Sequence, residues 1–148
     1  MKDVGDLASR PCEFEFSDMV PGVTASFSVT VSNEMLESFG VMSGDLNPLH
    51  TDIEYAGRFG HPSKVVYGML TASFYSRLVG MHLPGRLALL QQIDTSFSAP
   101  VYVGDCLTVQ GCVAAAHESV RQVEIRASVV NQDGKTVSRA KIKTGMYA

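Results

Sequence analysis

The run Ser43-Gly44-Asp45-Leu46-Asn47-Pro48-Leu49-His50 sets a carboxylate and an imidazole five residues apart in one short, turn-rich segment. Unperturbed, an aspartate titrates near pH ~3.9 and a histidine near ~6.5. At neutral pH that is one ready base beside a group able to give or take a proton. General acid–base work needs such groups held rigidly. Gly44 permits an unusual backbone angle, Pro48 locks one, and Asn47 can hydrogen-bond within the turn, so this loop can be rigid without regular structure. An Asp in a Ser-Gly-Asp turn can equally be a turn former, and a His after a proline a solvated loop residue. The octapeptide by itself leaves both readings open.

A second feature is Tyr67-Gly68-Met69-Leu70, at the start of a long helical stretch. A helix N-terminus presents free backbone N–H groups and the positive end of the helix dipole. Gly68 there would let a ligand oxygen approach the backbone closely, as an oxyanion hole requires. The plainer alternative is a glycine that eases the turn into the helix.

The elements that must position these residues follow from periodicity. Residues 24–31 alternate and are rich in β-branched side chains, which predicts a strand. Ser32 or Asn33 offers an N-cap, and Met35, Leu36, Phe39 and Met42 follow at helical spacing, predicting a helix over 33–42. Residues 43–50 read as a loop, 52–58 as a short helix and 59–64 as another loop. In 68–83, Leu70, Phe74 and Leu78 recur at i, i+4 and i+8, while Ala72, Ser73, Ser76 and Gly80 form a small-residue stripe. A helix apolar or small nearly all round is one buried in a core. Pro84-Gly85 stops it.

From residue 86 onward the runs near 86–98, 105–117, 120–131 and 135–147 have β character, with Asn131-Gln132-Asp133-Gly134 as a hairpin turn. Val123, Ile125, Ala127 and Val129 alternate with Glu124, Arg126 and Ser128, so the sheet has one wet face. The last 60 residues read as an antiparallel meander. One long buried helix followed by a long antiparallel sheet is an α+β arrangement in which the sheet curls around the helix. A ferredoxin-like sandwich would need a further helix between the late strands, and none is visible.

With 148 residues the chain is expected to form one domain over 13–148 behind a loose leader, 1–12. Net charge is −3, with no basic run or Lys/Arg patch interleaved with aromatics, so nucleic-acid binding has no electrostatic support. No apolar stretch approaches the roughly 20 residues of a membrane helix, and residues 1–10 do not read as a secretory signal. A cytoplasmic protein without membrane insertion is expected. Cys12, Cys106 and Cys112 are scattered, which predicts free, buried thiols rather than a disulfide. His50, His61, His82 and His117 show no metal-ligand spacing, so neither a metal nor a cofactor is expected.

Taken together, these segments resemble the MaoC-like, or (R)-specific enoyl-CoA hydratase, family. The octapeptide 43–50 matches its SGDxNPxH signature, with Phe39 before it and the small residue Ala56 after it. Residues 68–73, 83–85, 99–101 and 103–105 look like the family's helix start, helix end and strand turn, in order. The resemblance implies the hot-dog fold, a long central helix wrapped by an antiparallel sheet, usually dimeric. That suits the slightly positive mean hydropathy of +0.10. It implies that Asp45 and His50 are the catalytic pair, that the Gly68 N–H receives the thioester carbonyl, that Ser76 lies near the site, and that Gly44, Asn47 and Pro48 shape the loop. The implied reaction is hydration of a trans-2-enoyl thioester or its reverse, with the (R) configuration at C3. Where the family commonly has His before the helix-start glycine, this chain has Tyr67, which can still donate a hydrogen bond to substrate but changes pocket shape and acyl-length preference.

Other readings remain. A 3-hydroxyacyl-[acyl carrier protein] dehydratase would keep Asp45 and His50 and take a carrier-protein thioester in place of acyl-CoA, with Arg58, Lys64, Arg77 and Arg86 as candidates for a positive rim. A thioesterase would lack the signature loop. A non-catalytic acyl-thioester-binding subunit would have no use for a paired acid and base.

Overall fold

The computed structural model describes residues 10–148. Residues 1–9 of the expected leader lie outside them. Cys12, at its end, is tied down: its N–H donates to Met81 O and its carbonyl accepts from Arg86 N.

Strand β1 (Thr24–Thr30) leads into α1 (Asn33–Ser43), and the short helices α2 (Pro48–Thr51) and α3 (Ile53–Arg58) follow. The long helix begins as α4 (Gly68–Arg77) and ends in a π-helical turn, Leu78–His82. Strands β2 (Ala88–Phe97), β3 (Cys106–His117), β4 (Gln122–Val130) and β5 (Thr136–Met146) complete the chain. They form one antiparallel sheet in the order β1-β3-β4-β5-β2.

Local chemistry sets most boundaries. The Ser32 hydroxyl accepts from Met35 N at the start of α1, and Gly44 ends that helix in the left-handed region, φ +75°, where a Cβ would be strained. In the 131–134 turn the Asn131 carboxamide oxygen accepts from both Asp133 N and Lys135 N.

Three expectations are corrected. First, only β3, β4 and β5 form the expected meander; β2 pairs with β5 on the far side, because β1 occupies the edge of β3. Second, the long helix is not covered all round: Met69, Ser73 and Ser76 are exposed, and Met42 on α1 also faces outward. Third, its last turn widens. Leu83 N bonds to Leu78 O, five residues back, and the wider turn carries Leu78, Val79, His82 and Leu83 all into the core. The thiols are unpaired as expected, but Cys106 is exposed and the other two only half-buried.

The core lies between the long helix and the inner face of the sheet. Val123, Ile125, Ala127 and Val129 of β4 are buried, and Arg126 between them is exposed. Helix and sheet meet closely at Leu78, whose Cδ2 would lie 2.8 Å from a Cβ on Gly111 of β3. The absence of that Cβ lets the buried leucine rest on strand backbone. The Tyr75 hydroxyl donates to Ser138 Oγ at 2.9 Å, which joins the helix to β5 through a buried hydrogen bond. The result is an α+β hot-dog domain. Among the described residues no helix is long and apolar enough to cross a membrane.

Candidate active site

The signature segment begins where α1 ends. Gly44 reverses the chain, and its N–H is bonded to Gly40 O at 2.9 Å. Asp45 N then donates to Ser43 Oγ at 3.2 Å, and Asp45 Oδ1 accepts from Asn47 N at 3.1 Å. One carboxylate oxygen is thereby engaged by the turn, while Oδ2 has no partner among the described residues. The Asn47 side chain accepts from Leu49 N at 2.9 Å and Pro48 takes the first helical position, so the expected loop closes into the single turn of α2. Gly44, Asn47 and Pro48 shape the backbone that presents Asp45 and His50.

His50 is half-buried on that turn. Its Nδ1 lies 2.6 Å from Val65 O. A carbonyl can only accept, so Nδ1 carries the hydrogen. In the neutral ring, Nε2 therefore keeps the lone pair and can act as a base. The Val65 N–H in turn donates to Leu49 O at 3.1 Å, so the strand-like segment before the long helix grips the turn from both sides.

Tyr67 touches both members of the pair. Its ring lies 4.0 Å, centroid to centroid, from that of His50, and its hydroxyl donates to the backbone carbonyl of Asp45 at 2.5 Å. Phe39 packs against it at 5.1 Å. Burial, and then the charge of Asp45, push the phenol pKa above its ordinary value, so the hydroxyl remains a donor at neutral pH. The ring is 3% exposed and the hydroxyl donates its hydrogen to the Asp45 carbonyl.

Gly68 follows immediately and opens α4, so the helix N-terminus adjoins the Asp45–His50 turn. The first N–H groups of a helix have no acceptor within it. The Phe97 ring covers the Cα side of Gly68, with ring atoms 3.5 Å from where a Cβ would sit. Ser76 lies two turns further along the helix, about 12 Å from Gly68 at 1.5 Å per residue, is exposed, and makes no side-chain hydrogen bond among the described residues.

Sequence reasoning missed two participants. The Val65 carbonyl has no side-chain signature. Phe97 belongs to β2 and meets Gly68 only through folding. His61, on the following loop, pairs through Nδ1 with the Tyr102 hydroxyl at 3.0 Å, a contact across 41 residues. Lys64, a candidate for a positive rim, instead donates to Asn33 Oδ1 at 3.1 Å. Arg86 is paired with Glu13 at 2.8 Å, and Arg77 lies over the Phe27 ring.

With this geometry in hand, the chain can be set beside known proteins. The family model described as the MaoC like domain matches residues 18–138, and the chain belongs to that family. It is 36% identical over 93 residues to an (R)-specific enoyl-CoA hydratase of Rhodospirillum rubrum, a match spanning 63% of this chain and 65% of that protein. It is 33% identical over 113 residues to the (R)-specific enoyl-CoA hydratase of Aeromonas caviae, covering 76% of this chain and 84% of the relative. Among solved structures, the (R)-hydratase from A. caviae involved in PHA biosynthesis superposes with a TM-score of 0.82 at 29% identity, covering 86% of this chain and 97% of that one.

Proposed function

We propose that this MaoC-like chain is a hydro-lyase that hydrates trans-2-enoyl thioesters to (R)-3-hydroxyacyl thioesters, or runs the dehydration, with acyl-CoA as the favoured carrier. The observation that carries the reading is the tautomer of His50. With Nδ1–H held by Val65 O, Nε2 is the nitrogen left for chemistry, on the turn that begins from an aspartate with one carboxylate oxygen unpartnered among the described residues. The family membership and the two hydratase relatives support the same reaction.

In hydration, a water bound by Asp45 and His50 loses a proton to one of them as its oxygen bonds to C3. The C2–C3 π electrons move toward the carbonyl, and negative charge develops on the thioester oxygen. The Gly68 N–H and the positive end of α4 stabilise that charge. The proton taken from the water is then passed to C2, via His50 or from the Asp45 side, and the enolate collapses to the saturated 3-hydroxyacyl thioester. Every atom comes from water and substrate, so the cycle needs no cofactor.

The reading includes a homodimer. Strand β2 is a sheet edge, and Leu89, Leu90, Ile93 and Phe97 along it are 37–46% exposed, beside Met69 at 62% on the open side of the long helix. An exposed apolar edge of this kind is what a second subunit covers. A cytoplasmic location is supported by the three unpaired thiols.

The test is hydration of crotonyl-CoA, followed by loss of enoyl-thioester absorbance. Asp45→Asn and His50→Gln are each expected to lower kcat by about 10²- to 10⁴-fold, the usual worth of a positioned acid or base. Wild-type protein inert toward crotonyl-CoA, longer enoyl-CoAs and enoyl carrier-protein thioesters would sink the reading. Activity on the carrier-protein thioester alone would replace the carrier and keep the chemistry.

A further inference from the structure

The loop that bears Asp45 is held mainly by itself. Its hydrogen bonds run from Gly44 N to Gly40 O, from Asp45 N to Ser43 Oγ, and from Asn47 N to Asp45 Oδ1, all within one turn of chain. Residues 42–48 are exposed. Among the described residues, one hydrogen bond ties 44–47 to any part of the chain beyond residue 51, and Tyr67 donates it. Tyr67 is the residue before the first turn of the buried helix, so its backbone is anchored where the loop is not.

The same side chain carries the imidazole. His50 is fixed at one edge by Val65 O and on one face by the Tyr67 ring. A phenol donates one hydrogen, and that hydrogen is spent on the Asp45 carbonyl. Space for the oxygen is also provided: a Cβ on Gly40 would come within 2.7 Å of the hydroxyl and 3.5 Å of the ring carbon that bears it. Gly40 is buried inside α1, where glycine is otherwise unfavourable. Residue 40 and residue 67 thus fit as a matched pair.

We propose that Tyr67 is the positioning residue of the acid–base pair: its hydroxyl pins the Asp45 backbone, its ring backs the His50 imidazole, and Gly40 is the seat that admits the hydroxyl. The assignment rests on the reading of Asp45 and His50 as the reacting groups. It makes Tyr67 a residue that acts through the other two and does not touch substrate. The tyrosine in place of the family's usual histidine thereby gains a local purpose, since a phenol reaches a carbonyl 22 positions away in the chain.

The experiment is a double-mutant cycle of Tyr67→Phe and Gly40→Ala, read two ways. Phenylalanine keeps the ring behind His50 and removes only the tether. Misplacing a reacting group by an ångström costs about a hundredfold. Tyr67→Phe is therefore expected to lower kcat on crotonyl-CoA by ten- to a hundredfold (~10–100), with KM held within about twofold because no substrate contact is lost. Amides of Asn47, Leu49 and His50 should exchange with deuterated solvent about five- to tenfold faster, the worth of one hydrogen bond, while amides of β4 and β5 keep their rates. Gly40→Ala should reproduce both effects in the tyrosine protein. In the Tyr67→Phe background it should add less than about twofold, because the atom it displaces is gone.

Tyr67→Phe with wild-type kcat and wild-type loop exchange would overturn the proposal, as would equal losses from Gly40→Ala in the two backgrounds. Accelerated exchange across the whole sheet would also overturn it, since it would mark a general packing role. If the wild-type protein hydrates no enoyl thioester, the proposed reaction fails, while the exchange cycle still decides whether Tyr67 holds the loop.

Discussion

His82 provides the sharpest quantitative test of the fold. It is 3% exposed in the π-helical turn, and neither ring nitrogen has a hydrogen-bond partner among the described residues. Its ring stacks on Phe27, with centroids 5.0 Å apart and planes 16° off parallel, and the Arg77 guanidinium carbon lies 4.1 Å from the centre of that same phenylalanine. Protonating the imidazole would put a charge in the core with no acceptor. Burial, and then Arg77, hold its pKa below the ordinary value. In the unfolded chain a histidine titrates near pH ~6.5. As pH falls through that value the unfolded state takes up a proton that the folded state refuses, so this contribution to stability is present above pH ~6.5 and is lost on acidification. One proton refused by the folded state sets the limit of that loss, at most about 1.4 kcal/mol between pH 7.5 and 5.5. The perturbation is His82→Phe, which preserves the stack. It removes two unsatisfied nitrogens, worth about 1–3 kcal/mol, but adds volume in a filled core at about 1–3 kcal/mol. The sign at one pH therefore decides nothing, and the slope decides everything. Urea unfolding of both proteins, at one protein concentration and at pH 7.5, 6.5 and 5.5, gives the difference directly. The wild type should lose stability relative to the variant over that range, by up to about 1.4 kcal/mol. Parallel pH dependences would refute the argument.

Gly111→Ala should destabilise the protein by about 1–3 kcal/mol in the same urea assay, because the added methyl meets Leu78 Cδ2 at 2.8 Å and Ile125 Cγ2 at 3.1 Å. Tyr75→Phe leaves Ser138 Oγ with only the Thr95 hydroxyl at 3.1 Å, and should cost about 1–1.5 kcal/mol by thermal or urea unfolding. Ile93→Lys places a charge in the exposed apolar edge of β2. Light scattering after size exclusion should then show a monomer where the wild type shows a dimer, and a wild-type monomer would remove the homodimer from the proposed function.

Much of the architecture was legible because its signals are short-range. Ser32 caps α1, Gly44 ends it, and Asn131 builds its turn, all through bonds spanning no more than four residues. The alternation of β4 reports one buried face whichever strand lies beside it. The Asp45–His50 pair was visible for the same reason: its members and the residues that bend the chain between them are contiguous. What local pattern could not contain was decided by contacts between distant segments. The edge position of β2 follows from β1 occupying β3. The widened turn at 78–82 follows from four side chains finding room in the core together. The His50 tautomer depends on the Val65 carbonyl, 15 residues on, and Tyr67 finds its acceptor 22 residues back. A sequence can state that an aspartate, a histidine and a tyrosine are present at suggestive places. Which nitrogen is free, and which hydroxyl is already spent, are set by the partners that folding supplies.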